Sequence, residues 1–251
     1  MKKNIWFLLG IFYFVFTGCA PPTPIRTNQE LSDFVLQESL NSTVAFVVEN
    51  RNTPGTYSIN CSGFFIRPRL ILSALHCFQE ITVINVEGQQ LQIPITLNPI
   101  NTEQKFVRYS FENSNTLLNE NNLDRARIVR VDLEHDLVLL ALNDEYKNSH
   151  YTLRVSNRMP TQTERVALIG HPIGIPWCIN SGIISRILFS RGHWDLLQTS
   201  IMISGGYSGG PLIDANGEVL GLADAYLRGN QGISIFVSSA RIRMFIDNSG
   251  I

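Results

Sequence analysis

The chain of 251 residues carries 20 basic and 21 acidic side chains, a net charge of −1, with 44% apolar and 10% aromatic residues. That length and composition suit one or two modest domains with a buried core and exclude a disordered or collagen-like chain. Charge this evenly balanced argues against a dedicated nucleic-acid binder, which needs a positive surface field. With 4 cysteines the chain has too few for a disulfide scaffold.

Met1-Lys2-Lys3-Asn4 is basic, and Ile5–Phe16 is a run of twelve residues in which only Gly10 is not strongly apolar. A membrane span needs about 18–20 such residues, whereas this run has the length of a signal-peptide core. Phe16-Thr17-Gly18-Cys19-Ala20 then resembles a bacterial lipobox, in which the cysteine is lipidated and becomes the mature N-terminus. Phe16 stands where an aliphatic residue is usual. An ordinary secretory signal and a retained anchor are the alternatives, and all three export the remaining chain. Residues 1–18 are therefore expected to be a signal peptide of lipoprotein type, with Cys19 as the anchor. Residues 19–30, with Pro21, Pro22 and Pro24, form a stiff extended tether. Asn28-Gln29-Glu30 precede Leu31, Phe34, Val35, Leu36 and Leu40, which predicts a short helix packed outside the body that follows.

From Thr43 the pattern changes to short β-rich runs bounded by Gly, Pro, Asn and Asp. They are Thr43–Val48, Gly63–Ile66, Leu70–Ser73, Ile81–Val86, Leu91–Ile95, Arg127–Val131, Leu137–Leu142, Arg165–Ile169, Gly182–Ile187 and Val219–Ala223. Many short strands of this kind predict a sandwich or barrel. The Asn-rich, aperiodic stretch Glu112–Asp124 reads as a surface loop. Ser238-Ser239 can cap a terminal helix carrying Ile242, Phe245 and Ile246. The chain thus reads as all-β with a helix at each end.

Three segments carry chemistry: Leu72-Ser73-Ala74-Leu75-His76-Cys77, Glu134-His135-Asp136-Leu137-Val138-Leu139-Leu140, and Ser204-Gly205-Gly206-Tyr207-Ser208-Gly209-Gly210-Pro211-Leu212. Each alone has an ordinary structural reading, as a strand-end histidine, a solvated strand cap and a turn. Glycines on both sides of a serine, however, let consecutive N–H groups turn into one concavity, as an oxyanion hole requires. Together, in the order His, Asp, Ser, the segments resemble the chymotrypsin-like serine proteases over roughly Thr43–Phe245.

The resemblance implies two six-stranded antiparallel β-barrels with the active site between them, residues 31–251 forming one protease domain. It implies that Ser208 is the nucleophile, His76 the general base and Asp136 the acid that orients it, with the N–H groups of Gly206 and Ser208 as oxyanion hole. It also implies a disulfide between Cys61, fifteen residues before His76, and Cys77. Cys178 is left without a partner and reads as a buried small apolar residue on a strand. His135 is expected to point away from His76, as adjacent strand residues face opposite ways. His171 lies in the turn-like Gly170-His171-Pro172-Ile173-Gly174, and His150 and His193 lie in polar loops. No pair has metal-ligand spacing, so neither metal nor cofactor is expected.

Ala167–Pro172, Ser181–Ser185, Gln198-Thr199 and Gly217–Leu222 are most similar to the HtrA-type bacterial branch, although the chain ends too soon after Phe245 for that branch's PDZ domain. Tyr207 stands where trypsin-type zymogens carry an acid, so activity is not expected to depend on a new N-terminus. By register with the family, the primary pocket would involve Met202 and Ile203, facing Ala223, Asp224, Ala225 and Tyr226, with a neutral, apolar preference. Asp224 falls where the family has a Ser or Thr that hydrogen-bonds the triad acid. Either the register is off, or Asp224 points into the cleft, or the site is impaired by like-charge repulsion. The expected function is an envelope serine endopeptidase acting on protein or peptide substrates. The alternative is a catalytically silent protease fold acting as a binding or assembly factor.

Overall fold

Strand β1 (Thr43–Glu49) begins with five consecutive buried residues. A strand that alternates its faces can do this only if both faces are covered. Val44 and Phe46 enter the main core, while Ala45 and Val47 join a smaller cluster with Val107 and Leu123. The computed structural model describes residues 32–50, 52–86, 89–95, 102–108, 118, 120–190, 193–226 and 234–248. The expected signal segment, Cys19 and the tether lie outside the described residues, as does most of Glu112–Asp124. Among the described residues no helix is long and apolar enough to cross a membrane.

After β1 come β2 (Tyr57–Arg67), β3 (Leu70–Ala74), β4 (Glu80–Val86), β5 (Gln89–Ile95), β6 (Glu103–Arg108), β7 (Asp124–Asp132) and β8 (Leu137–Leu142). Six of them close an antiparallel barrel in the order β1-β2-β3-β8-β7-β6, with β6 returning to β1. β4 and β5 form a separate two-stranded ribbon, so two runs read as strands of the body belong to neither barrel. The second barrel uses β9 (Arg165–Gly170), β10 (Cys178–Ser190), β11 (His193–Thr199), β12 (Pro211–Ile213), β13 (Val219–Tyr226) and β14 (Ser234–Ser238). It closes in the order β10-β11-β14-β13-β12-β9. The main core joins Phe64, Leu72 and Leu139 of the first barrel to Ile169, Ile213 and Leu222 of the second, so the two pack as one body.

Helix α1 (Asp33–Ser42) starts two residues later than Leu31, because Ser32 is its cap: the Val35 N–H donates to Ser32 Oγ at 3.3 Å. Helix α2 (Ser239–Asp247) is capped in the same way by Ser238, which accepts from the Arg241 N–H at 3.3 Å. Its Ile242 and Phe245 are buried in the main core. The disulfide joins Cys61 in β2 to Cys77, just beyond β3. Closing a loop this short contributes about 3 kcal/mol by restricting the unfolded chain, and it ties down the residue that follows His76.

Candidate active site

β3 and β8 pair antiparallel with Ala74 opposite Leu137. That register sets the residues after Ala74 beside those before Leu137, which brings His76 to Asp136. The Leu75 N–H donates to the Asp136 carbonyl at 2.9 Å. The His76 N–H donates to Asp136 Oδ1 at 2.7 Å, and His76 Nδ1 lies 2.5 Å from Oδ2. A proton on Nδ1 leaves Nε2 as an acceptor. The two side chains are 41% and 23% exposed, an accessible imidazole backed by a more sheltered acid. Burial works against the charged imidazole, but the hydrogen bond and charge of Asp136, with Asp224 behind it, outweigh that and raise its pKa. Asp136 itself is left-handed, φ +55°, a conformation that Asp tolerates better than most residues.

Ser208 lies in the turn that joins β11 to β12. The Ser62 N–H of β2 donates to the Ser208 carbonyl at 2.8 Å, and the Cys77 sulfur lies 3.8 Å from the same oxygen. Ser208 is thus held against the segment that carries His76. Gly206 (φ +99°) and Gly209 (φ +82°) need the glycine backbone twice over, for a side chain at either would also strike its neighbours. A Cβ on Gly206 would come within 2.4 Å of the His171 carbonyl, and one on Gly209 within 2.2 Å of the Ser62 carbonyl.

The N–H groups of Tyr207, Gly209 and Gly210 donate to Ser204 O, Ala223 O and Tyr207 O at 3.2, 2.8 and 2.8 Å. Those of Gly206 and Ser208 have no partner among the described residues. Two unengaged donors beside a serine can hold an anionic oxygen. Tyr207, where zymogens carry an acid, is 3% exposed and packed in the second barrel's own core. Burial pushes its hydroxyl up to about 12. Gly170 makes room for the ring, since a Cβ there would lie 2.7 Å from Tyr207 Cδ1.

Asp224 lies beside Asp136. The β13 ladder against β14 slips between Ala223 and Ala225, leaving Asp224 as the bulged residue. A ring nitrogen of His76 and a carboxylate oxygen from each of Asp136 and Asp224 lie within 4.8 Å of one another. Burial, then the charge and hydrogen bond of Asp136, push the Asp224 carboxyl up to about 7, against the opposing pull of His76.

The other expected pocket residues are dispersed in character. Met202 is 67% exposed, Ile203 packs partly on the second core, and Ala223 is fully buried in it. Ala225 and Tyr226 continue β13 opposite Ile235 and Ser234. His135 does point away from His76, but from a turn rather than a strand: its ring meets Asp132 at 3.2 Å and Arg241 at 2.6 Å. His150 is exposed and His193 opens β11. Cys178, the first residue of β10, is half-buried, and that burial raises its thiol pKa.

Sequence reasoning missed Ser62 and undervalued His171. Ser62 Oγ donates to the Gly206 carbonyl at 2.7 Å, accepts from the His171 N–H at 3.0 Å and lies 3.1 Å from His171 Nδ1. Burial alone pulls the His171 ring down to about 3, so it stays neutral. These contacts fix the carbonyl flanking one of the free donors. The only sequence signal was the adjacency of Ser62 to Cys61.

A family model described as a trypsin-like peptidase domain matches residues 61–222. The chain is 35% identical over 128 residues to the magnetosome formation protease MamE of Magnetospirillum gryphiswaldense, covering 48% of this chain and 16% of that protein. It is 28% identical over 127 residues to a probable periplasmic serine endoprotease, DegP-like, of Bartonella henselae, covering 48% of this chain and 25% of that protein. The matched part is thus a quarter or less of these relatives' length. Among solved structures, the active form of the Rv3671c protease from M. tuberculosis has the same fold, with a TM-score of 0.61 at 17% identity, covering 97% of this chain and 94% of that one. The serine endoprotease from Yersinia pestis has a TM-score of 0.58 at 20% identity, covering 86% of this chain and 65% of that one.

Proposed function

The chain belongs to the trypsin-like peptidase family, and from that premise we propose that it is an exported serine endopeptidase working through Ser208, His76 and Asp136. Ser208 Oγ attacks the scissile carbonyl as His76 Nε2 takes its proton. The carbonyl π electrons pass to the oxygen, which the N–H groups of Gly206 and Ser208 receive. The intermediate collapses, the carbon–nitrogen bond breaks, and the imidazolium returns its proton to the departing amine. Water then enters by the same route and releases the acid. Asp136 keeps the imidazole in the tautomer that leaves Nε2 free and stabilises its cation.

The observation that carries this reading is the pairing of His76 Nδ1 with Asp136 beside a serine turn whose two flanking N–H groups are unengaged. A fluorophosphonate probe tests it. The folded protein is expected to take up one equivalent, and mass spectrometry of the digested adduct is expected to place it on Ser208. A folded chain that takes no label, or takes it elsewhere, overturns the reading in favour of a silent protease fold.

Export is supported by the basic start and apolar run of residues 1–16, by a disulfide suited to an oxidising compartment, and by the likeness to periplasmic DegP-like proteins. Residues 1–18 act as the signal, Cys19 carries the lipid, and residues 19–30 tether the protease domain to the membrane face. Cys19→Ala is expected to move the mature protein from the detergent phase to the aqueous phase in a detergent-partition experiment. A wild-type chain already in the aqueous phase would mean plain secretion.

A further inference from the structure

We propose that Asp224 is a positioning residue of this site, holding Asp136 in place by donating a hydrogen bond from its carboxyl group in the neutral form. The inference rests on the triad reading and adds to it an upper pH limit for activity.

Three observations carry it. Asp224 is the bulged residue of β13, and a bulge re-aims one side chain out of the regular alternation. The same strand is sewn to the serine turn on its near side, where Ala223 accepts from the Gly209 N–H at 2.8 Å and donates to the Gly210 carbonyl at 2.9 Å. The aim of Asp224 is thus set by the backbone that also sets Ser208. Second, a ring nitrogen of His76 and a carboxylate oxygen from each of Asp136 and Asp224 crowd within 4.8 Å of one another. Third, Asp136 already accepts from the His76 N–H through Oδ1 and faces Nδ1 through Oδ2. Two ionised carboxylates only accept, so a hydrogen bond between Asp224 and Asp136 requires a proton on one of them.

The surroundings decide which carboxyl keeps it. Asp136 is held by two contacts to His76, its backbone N–H and Nδ1, whereas Asp224 has only Asp136 and His76 bearing on its charge. The strands flanking β13, β12 (Pro211–Ile213) and β14 (Ser234–Ser238), carry no titratable side chain. His135, in the turn that carries Asp136, is directed to Asp132 and Arg241. No lysine or arginine among the described residues bears on Asp224, so a proton neutralises it. Burial and the neighbouring Asp136 hold that carboxyl near neutrality, at about 7.

Two limbs follow. Below the lower one His76 is charged and cannot accept the Ser208 proton. Above the upper one Asp224 is ionised, cannot donate, and repels Asp136 from the imidazole. The apparent values belong to the coupled set rather than to single residues.

The test is the pH profile of kcat/KM, and of fluorophosphonate labelling, for wild type, Asp224→Asn and Asp224→Ala, with thermal melts to verify folding. The wild type is expected to fall at least about tenfold between roughly pH 7 and pH 9.5. Asp224→Asn, whose amide donates at every pH, is expected to lose that alkaline limb while keeping the acid limb that His76 and Asp136 set. Asp224→Ala also lacks the limb but should lie about tenfold or more below Asp224→Asn throughout, in kcat rather than KM. A limb that persists in Asp224→Asn, or equal rates for Asn and Ala, overturns the inference. So does a limb that EDTA rather than the substitution removes, which would put a cation in place of the proton. If none of the three proteins labels at Ser208, the triad reading itself fails. If all label with one common profile, only the role of Asp224 does.

Discussion

Replacing Ser208 by Ala is expected to lower kcat on a peptide substrate by about six orders of magnitude while the protein keeps its fold. The turn around Ser208 is held without the hydroxyl. Ser62 N–H reaches the Ser208 carbonyl, Gly209 N–H reaches Ala223, Gly210 N–H reaches Tyr207, and the Tyr207 ring is buried. The N–H groups of residues 206 and 208 survive the substitution, so a residual rate of about 10³–10⁴ over water should persist. Steady-state kinetics beside a thermal melt check both halves. A folded variant that keeps more than about 1% of wild-type kcat would remove Ser208 from the chemistry.

Asp136→Asn is expected to cost about 10⁴ in kcat near neutral pH. The amide oxygen can still accept from the His76 N–H, so the turn survives. The amide nitrogen then faces Nδ1 as a donor, which forces the imidazole proton onto Nε2, where it blocks transfer from Ser208. Binding of a substrate-like inhibitor should change little. Because the substituted side chain carries no charge, Asp224 also loses its repulsive neighbour and should ionise at lower pH. Activity within about tenfold of wild type would show that Asp136 does not set the tautomer.

The parts of this protein that are legible in sequence are those whose chemistry is local. Leu137–Leu142 forms β8 with the expected bounds, since an uninterrupted apolar run between a turn and Asn143 leaves little choice. Ser238 caps α2 because a short polar side chain before an apolar repeat has that use in any context. The glycines about Ser208 announced a turn, and two of them are left-handed.

What escaped depends on partners distant in sequence. β6 carries Glu103, Gln104, Lys105 and Arg108, and only Phe106 and Val107 are buried. It is a strand because β1 and β7 pair with its two edges, and Arg125 of β7 binds its Glu103 at 2.7 Å. β12 has three residues, too few for any period to register. The β4–β5 ribbon has good strand composition, and composition does not say which sheet a strand joins. Asp224 could be placed near Asp136 by register, but its aim is set by one slipped residue in the β13 ladder.

On the proposed assignment, base and acid ride on the first barrel and the nucleophile on the second. Ser62 reaches from one barrel to the other to hold the carbonyls of Gly206 and Ser208. A newly made chain with only its first barrel has nothing to attack with, and a second barrel alone has nothing to take the proton. β12, β13 and β14 also lie wholly after Ser208 in the chain, so the cutting edge is completed last. On that assignment neither barrel cuts by itself, and the ability to cut arrives only when the second barrel closes on the first.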